Sequence, residues 1–198
     1  MFALPSLRRD LPALRGARVH LRLPVAGDYQ EWASLRHASR AFLVPWEPRW
    51  TADELDRPAW RQRLRRYRED YASGTAVPFL IFSTTDAKLV GGITIGNIRQ
   101  GVAQSGQIGY WVGERYAGQG YMLEAIRLII PFAFESLRLH RIEAACIPDN
   151  TRSARVLEKA GFQKEGLLRS YLRINGTWKD HYLYAVIAED RPGVERRG

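Results

Sequence analysis

The stretch that decides the fold reads Arg115-Tyr116-Ala117-Gly118-Gln119-Gly120-Tyr121-Met122, between a predicted strand at 107–112 and a long apolar segment at 121–137. Two of its residues, Gly118 and Gly120, allow positive φ and let a ligand approach the backbone closely. The N–H groups of such a loop, with the positive end of the helix that follows, suit a phosphate group. The pattern lacks the third glycine of the dinucleotide fingerprint and the Gly-Lys-Ser/Thr of a Walker loop. It therefore predicts a phosphate-binding loop of another kind, with an ordinary glycine turn as the alternative.

Length and composition indicate one globular domain. The 198 residues, 45% hydrophobic and 26% charged, predict a single domain over 1–198 with a core at about 19–188. We find no apolar run that could cross a bilayer and no signal-peptide core, so we expect a cytoplasmic protein without a membrane contact. Cys146, the only cysteine, lies in an apolar strand and is expected to be a buried, inert thiol. One Cys and four His give no metal-ligand spacing, so no metal is expected.

The charge is strongly positive. A net charge of +9 and a pI near 10.0 favour anionic partners, either a phosphate-rich cofactor or nucleic acid. The arginine-rich segment 58–71 also carries Trp60, Leu64, Tyr67 and Tyr71 at helical spacing. It is interpreted as the solvated face of an amphipathic helix, because no nucleic-acid-binding signature accompanies it.

The order of the predicted elements indicates an α/β (α+β) protein with a mixed, largely antiparallel sheet and helices on both faces. Predicted capping boxes pair Asp28 with Glu31 and Thr51 with Glu54. Asn175-Gly176 predicts a tight hairpin near the C-terminus. Strands are expected at 19–23, 77–84, 89–98, 107–112, 141–147, 167–174 and 178–188, and helices at 28–37, 58–71, 121–137 (kinked at Pro131) and 151–160.

From 19 to 188 this order resembles that of the GNAT acyltransferases. Four segments resemble the RimJ/RimL group of ribosomal-protein N-terminal acetyltransferases: FLVPWEP at 42–48, GQGYMLEA at 118–125, NTRS at 150–153 with GF at 161–162, and YLRINGTWKDH at 171–181. The first and the last are more typical of RimJ. The resemblance implies a sheet that splays apart at the cofactor site, and acetyl-CoA as cosubstrate.

The resemblance also implies how acetyl-CoA is held. The pantetheine arm would insert beside the backbone of Tyr110, Trp111 and Val112, with the Val112 N–H polarising the thioester carbonyl. Asn150 and Ser153 would lie near the pantetheine and the sulfur, although Asn150 also suits a simple helix N-cap. The pyrophosphate would be held by Arg115, Ala117, Gly118, Gln119, Gly120, Tyr121 and Met122.

Two catalytic groups of related enzymes are absent from this sequence. The tyrosine that donates a proton to the thiolate falls at Leu157, and the glutamate base of RimL-type enzymes falls at Leu172. By analogy with RimL-type enzymes, Ser153 is the remaining candidate for the proton donor. An α-amine has a pKa of about 7.7–8.0, so a modest base suffices.

The acceptor side is expected in the loop that contains Trp46 and Glu47. Glu47 is the predicted carboxylate that receives the amine, directly or through water, with an ion pair to a nearby arginine as its structural alternative. Asp180 and His181 are further candidates, His181 with the alternative of a buried strand residue.

The function implied is transfer of acetyl from acetyl-CoA, by direct attack in a ternary complex, to the N-terminal α-amine of a ribosomal protein that begins with alanine or serine. The basic surface would suit docking beside ribosomal RNA, as a monomer or a homodimer. Two alternatives stay open: a small-molecule amine acetyltransferase, and a non-catalytic CoA-binding module.

Overall fold

A computed structural model describes residues 11–190 of the chain. The predicted domain includes residues 1–10 and 191–198, which lie outside this range. The strands are β1 (Ala13–Arg15), β2 (Val19–Arg22), β3 (Val77–Ser83), β4 (Leu89–Arg99), β5 (Ser105–Val112), β6 (Arg141–Cys146), β7 (Gln163–Ile174) and β8 (Thr177–Ile187). The helices are α1 (Tyr29–Ala38), α2 (Arg40–Leu43), α3 (Arg57–Ser73), α4 (Tyr121–Pro131) and α5 (Thr151–Lys159).

The strands form one sheet in the order β1-β2-β3-β4-β5-β6-β8-β7. Every neighbouring pair is antiparallel except β5 and β6, which run parallel. The predicted mixed, mostly antiparallel sheet is therefore confirmed. The sequence prediction missed only the short edge strand β1 among the strands of residues 11–190.

Helices cover both faces of the sheet, as predicted. All seven residues of β3 are buried, because both of its faces are covered. Phe79 and Ile81 belong to the core beneath α4, whereas Leu80 and Phe82 face Trp32 and Trp60 of α1 and α3. The side-chain alternation of a strand thus divides the interior into two cores.

The sheet opens between β5 and β6. Their pairing covers only Ser105 to Gln107 against Arg141 to Glu143, and residues 108–112 then diverge from β6. The backbone groups on that edge of β5 are left for another partner. The predicted splay is confirmed at this point.

Both predicted capping boxes are wrong. The Asp28 carboxylate accepts hydrogen bonds from Arg22 (2.8 and 2.5 Å) and from the Val25 N–H (2.8 Å), and it does not cap α1. Glu31 accepts the Leu89 N–H at 2.8 Å. No helix begins at Thr51; α3 begins at Arg57, with Pro58 in its first turn. The carboxylates of Asp28, Glu31 and Glu54 are thus bound by Arg22 with the Val25 N–H, by the Leu89 N–H and by Arg63, and not by the first N–H groups of the helices they were expected to cap.

Other local predictions hold. Asn175 and Gly176 have φ of 43° and 85°, as the predicted hairpin turn requires. In α3, Trp60 and Leu64 are buried and the arginines at 61, 65, 66 and 68 are exposed, which confirms the amphipathic helix. The α-helical winding of α4 ends at Pro131 and continues as a π-turn over Phe132–Ser136.

Two kinds of feature are absent from residues 11–190. No helix in this range has both the length and the apolar character that crossing a bilayer requires. In the same range, no cluster of three or more His, Cys, Asp or Glu side chains could hold a metal ion.

Candidate functional site

A cavity of about 680 Å³ fills the gap between β5 and β6 and extends to the start of α4 and to α5. We call it the first cavity. Thirteen of the sixteen predicted site residues line it: Trp46, Glu47, Tyr110, Trp111, Val112, Ala117, Gly118, Gly120, Tyr121, Met122, Asn150, Ser153 and His181. Arg115, Gln119 and Asp180 are not among the lining residues.

The glycine loop has the predicted backbone. Gly118 and Gly120 have φ of 76° and 87°, in the left-handed region that favours glycine. Gly120 is the N-cap of α4, so the positive end of this helix is directed at the cavity. The loop therefore offers N–H groups and a helix dipole to an anion.

Arg18 contacts this loop, and the sequence had not predicted this contact. Its Nη1 donates to the Gln119 carbonyl oxygen at 2.8 Å, and its guanidinium lies 4.6 Å from the ring centroid of Tyr121. Its own N–H donates to Glu124 at 2.8 Å. Arg18 thus adds a positive charge beside the glycine loop, although it does not line the first cavity. Arg18 lies 101 residues before Gln119 in the sequence, so no local pattern indicated this contact.

The other cations at the cavity also differ from expectation. Arg115 is exposed and stacks on the adjacent Tyr116 ring at 4.6 Å, outside the lining. The cavity is lined instead by Arg152, Arg155 and Lys159 of α5. Their spacing along the helix is the one signal in the sequence that could have identified them.

Ser153 and Tyr110 form a hydroxyl pair in the cavity, with 2.8 Å between the two oxygens. The Ser153 N–H donates to the Asn150 side chain at 3.1 Å, so Asn150 is the N-cap of α5 as well as a lining residue. Burial raises the pKa of Tyr110, which keeps its hydroxyl protonated and able to donate. Leu157, where related enzymes have a tyrosine, is fully buried in the core.

Cys146 lines the same cavity as a buried thiol. Its side chain is 4% exposed, and burial raises the pKa of the thiol. The neutral form of the thiol is therefore favoured, as expected for an inert cysteine.

We expect Ser153→Ala to lower turnover by about tenfold or more, because a donor to the departing thiolate is lost. Acetyl-CoA affinity should change little. Tyr110→Phe should have a smaller effect in the same direction. Because burial raises the pKa of Tyr110, its hydroxyl should keep its proton up to at least about pH 10. Ionisation of Tyr110 should therefore cause no fall in the wild-type rate at lower pH.

Thr151→Ala is the matched control for this prediction, since Thr151 is exposed in the first turn of the same helix and lies outside the lining. Steady-state kinetics at saturating acetyl-CoA make the comparison. Equal turnover in Ser153→Ala and Thr151→Ala would leave Ser153 a helix-start residue without a chemical role.

Glu47 lies where the cavity meets the loop 42–48, and its carboxylate is bound by three N–H donors. Arg36 donates twice, at 3.2 and 2.5 Å, and the Trp50 indole donates at 2.7 Å. Arg36 is itself buried, with 7% of its side chain exposed. The structure thus shows the ion pair that was the alternative interpretation of Glu47. The neighbouring Trp46 is 38% exposed.

The two candidates on β8 are placed differently. His181 lines the first cavity and is 2% exposed, with Nδ1 2.9 Å from the Lys179 carbonyl oxygen. Because a carbonyl only accepts, Nδ1 carries a proton, and in the neutral imidazole Nε2 is then the acceptor. Asp180 lies outside the cavity and accepts the Ser170 N–H at 2.8 Å.

A second cavity of about 420 Å³ lies on the other side of β5, beneath α1 and α3. It shares Glu47, Gly109, Tyr110 and Trp111 with the first cavity. Tyr110 packs against the core on the α4 side and Trp111 against the core on the α1 side. One strand therefore separates two cavities that meet at Gly109.

The family follows from a comparison with known domains. The profile described as "Acetyltransferase (GNAT) domain" matches residues 18–163. The chain belongs to the GNAT acetyltransferase family. This GNAT acetyltransferase is thus an enzyme of the predicted class, and the resemblance found in its sequence is confirmed.

Relatives of this GNAT acetyltransferase span nearly its whole length. It is 36% identical over 177 residues to a probable N-acetyltransferase of Bacillus subtilis, YjcK, with 89% of this chain and 98% of YjcK covered. It is 31% identical over 185 residues to the ribosomal protein uS5-alanine N-acetyltransferase of Escherichia coli, covering 92% and 95% of the two chains. The solved RimJ of Mycobacterium smegmatis, in complex with CoA-disulfide, superimposes with a TM-score of 0.85 at 36% identity, covering 93% and 90%.

Proposed function

We propose that this GNAT acetyltransferase transfers the acetyl group of acetyl-CoA to the N-terminal α-amine of a protein, a ribosomal protein that begins with alanine or serine. The observation that carries the proposal is the meeting of two cavities at β5, one lined by the glycine loop with Gly118 and Gly120 and the other on the opposite face of the strand. The Escherichia coli relative, named for the alanine of a ribosomal protein, supports the acceptor class. The Mycobacterium smegmatis relative, which holds CoA-disulfide, supports the donor.

The donor side follows from the loop and the splay. The amides of Ala117 to Met122 and the start of α4 bind the pyrophosphate, and Arg18 and the cations of α5 supplement the charge. The pantetheine arm runs along the free edge of β5. The N–H of Val112 then polarises the thioester carbonyl, and Ser153, hydrogen-bonded to Tyr110, donates a hydrogen bond that stabilises the departing thiolate.

The acceptor side uses Glu47 and His181 in different roles. Glu47, with its carboxylate fixed by Arg36 and Trp50, receives the α-ammonium group and orients it. His181 is the second candidate, after Glu47, for the base that takes the proton of the amine. Its Nδ1 donates to the Lys179 carbonyl oxygen, which leaves Nε2 to take that proton. The amine attacks the thioester carbon directly once it has lost its proton.

Two variants distinguish these roles. Glu47→Gln should raise the KM for a peptide by about tenfold, because the ion pair between the carboxylate and the α-ammonium group is lost at a part-buried site. The affinity for acetyl-CoA should change little. His181→Asn keeps an N–H donor for the Lys179 carbonyl and removes Nε2. It should lower kcat by about tenfold to a hundredfold near neutral pH and shift the pH–rate profile toward alkaline pH, where the amine is already neutral.

Rates measured from pH 6 to 10 at saturating acetyl-CoA make the comparison. A thermal melt of Glu47→Gln is the control, because that change leaves the buried Arg36 without its counter-charge. Wild-type profiles in both variants would assign proton removal to water alone.

Acceptor class is tested by thiol release with three kinds of amine. We expect release with peptides that begin with alanine or serine. Release only with aminoglycosides or polyamines would establish a small-molecule acetyltransferase, and CoA binding without turnover would establish a binding module. A ribosomal acceptor also implies a cytoplasmic enzyme whose basic surface docks beside ribosomal RNA.

A further inference from the structure

We propose that the second cavity selects acceptor N-termini that carry acidic side chains immediately after the acetylated residue. This inference rests on the proposed function, because it assigns a specificity to the acceptor side of the same reaction. The charges, the aromatic walls and the position of the second cavity support it together.

Charge is the first support. Six charged side chains line the second cavity: Arg36, Glu47, Arg49, Glu54, Arg63 and Arg66. Both carboxylates are already used, since Glu47 is bound by Arg36 at 2.5 Å and Glu54 by Arg63 at 2.5 Å. Arg49 and Arg66 are exposed and have no ion pair within residues 11–190. The cavity therefore presents two uncompensated positive charges to its occupant.

The aromatic walls hold the inner cations rigidly. The Arg36 guanidinium lies 4.5 Å from the Trp50 ring centroid and 5.0 Å from that of Trp111, and Arg63 lies 5.3 Å from Trp32. The Nε atoms of Arg36 and Arg63 are buried without a hydrogen-bond partner among residues 11–190. These two arginines are thus fixed to their own glutamates, and Arg49 and Arg66 are the ones left for an acceptor.

Position determines which part of the acceptor meets these charges. The inner end of the cavity is shared with the first cavity at Gly109 and Glu47, where the amine must lie to reach the thioester. Arg66 belongs to α3 and Arg49 to the segment before it, and both line the second cavity but not the first. An extended chain advances about 3.3 Å per residue, so the residues directly after the first one pass these arginines. Carboxylates at those positions form ion pairs with Arg49 and Arg66, whereas lysine or arginine there would be repelled by them.

The experiment uses three peptides that begin with alanine and differ only in the next three residues. These are Asp-Glu-Asp, its uncharged counterpart Asn-Gln-Asn, and Lys-Arg-Lys. We expect kcat/KM to be about tenfold higher for the acidic peptide than for the uncharged one, the sum of two solvent-screened ion pairs. The basic peptide should be the poorest substrate, and the preference should weaken as salt rises.

Two charge reversals, Arg49→Glu and Arg66→Glu, should each reduce the preference for the acidic peptide, and both together should remove it. Arg65→Glu is the matched control: Arg65 is an exposed arginine of the same helix that lies outside both cavities. It changes the net charge equally, so it separates a local contact from general attraction by the basic surface. We expect Arg65→Glu to keep the wild-type preference.

Failure of the inference and failure of the proposed function give different results. Equal kcat/KM for the three peptides with the wild-type enzyme would overturn the inference and leave N-terminal acetylation intact. A preference that survives Arg49→Glu and Arg66→Glu, or that falls equally in Arg65→Glu, would also overturn it. Acetylation of none of the peptides, with acetyl-CoA bound, would overturn the proposed function and this inference with it.

Discussion

Replacing Gly120 by valine is expected to abolish acetyl-CoA binding while the sheet stays folded. Gly120 has a φ of 87°, which a β-branched residue rarely adopts, and a Cβ there would lie 3.5 Å from Nη1 of Arg18. Valine would rearrange the loop and displace its amides from the pyrophosphate. Each hydrogen bond to a charged group contributes about 1.5–3 kcal/mol, so the loss of two or more weakens binding by about a hundredfold or more. Calorimetry with CoA measures this directly.

Gly101→Val is the matched control. Gly101 has a similar φ of 70°, but it lies in the turn between β4 and β5 with open space around its Cβ position. Valine at this position imposes comparable backbone strain at a site that lines neither cavity. Unchanged CoA affinity in Gly120→Val would show that the loop does not hold the cofactor.

Replacing Gly109 by valine is expected to stop transfer to the acceptor without weakening acetyl-CoA binding. Gly109 lies two residues before Trp111 on β5, so its Cβ position is on the same face and is directed into the second cavity. Nothing lies within 4 Å of that position. Valine suits a strand, so the fold should stay intact. A displacement of the amine by about 1 Å can lower the rate about a hundredfold.

Gly96→Val on β4 serves as its control, because Gly96 lies in the neighbouring strand outside the lining of both cavities. The measurements are kcat/KM for a peptide and the Kd for CoA. Unchanged peptide kinetics in Gly109→Val would show that the acceptor does not enter beside β5. Loss of CoA affinity instead would place Gly109 on the donor side.

The parts of the site that are contiguous in sequence were predictable. The loop with Gly118 and Gly120 and the Asn175-Gly176 hairpin depend on local backbone requirements, which a sequence displays directly. The splay of β5 from β6 was implied by the resemblance to the GNAT acyltransferases, which rests on the order of the elements and on four short segments.

The parts that depend on tertiary contacts were not predictable. Arg18 reaches the loop across 101 residues of sequence, and Tyr110 meets Ser153 across 43. Asp28 fits a local capping box, yet Arg22 is its partner, because a charged donor outcompetes an uncharged backbone N–H. The second cavity requires α1, α3 and three strands together, and no local pattern describes such a set.

The most direct test is mass spectrometry of one peptide that offers both kinds of amine. The peptide begins with alanine and contains an internal lysine, and it is incubated with the enzyme and acetyl-CoA near neutral pH. An α-amine, with a pKa of about 7.7–8.0, is far more often neutral there than a lysine, with a pKa of about 10.4. Fragment ions should place a single acetyl group on the α-amine and leave the lysine unmodified. Acetyl on the lysine, or an unmodified peptide while acetyl-CoA is bound, would contradict N-terminal acetylation.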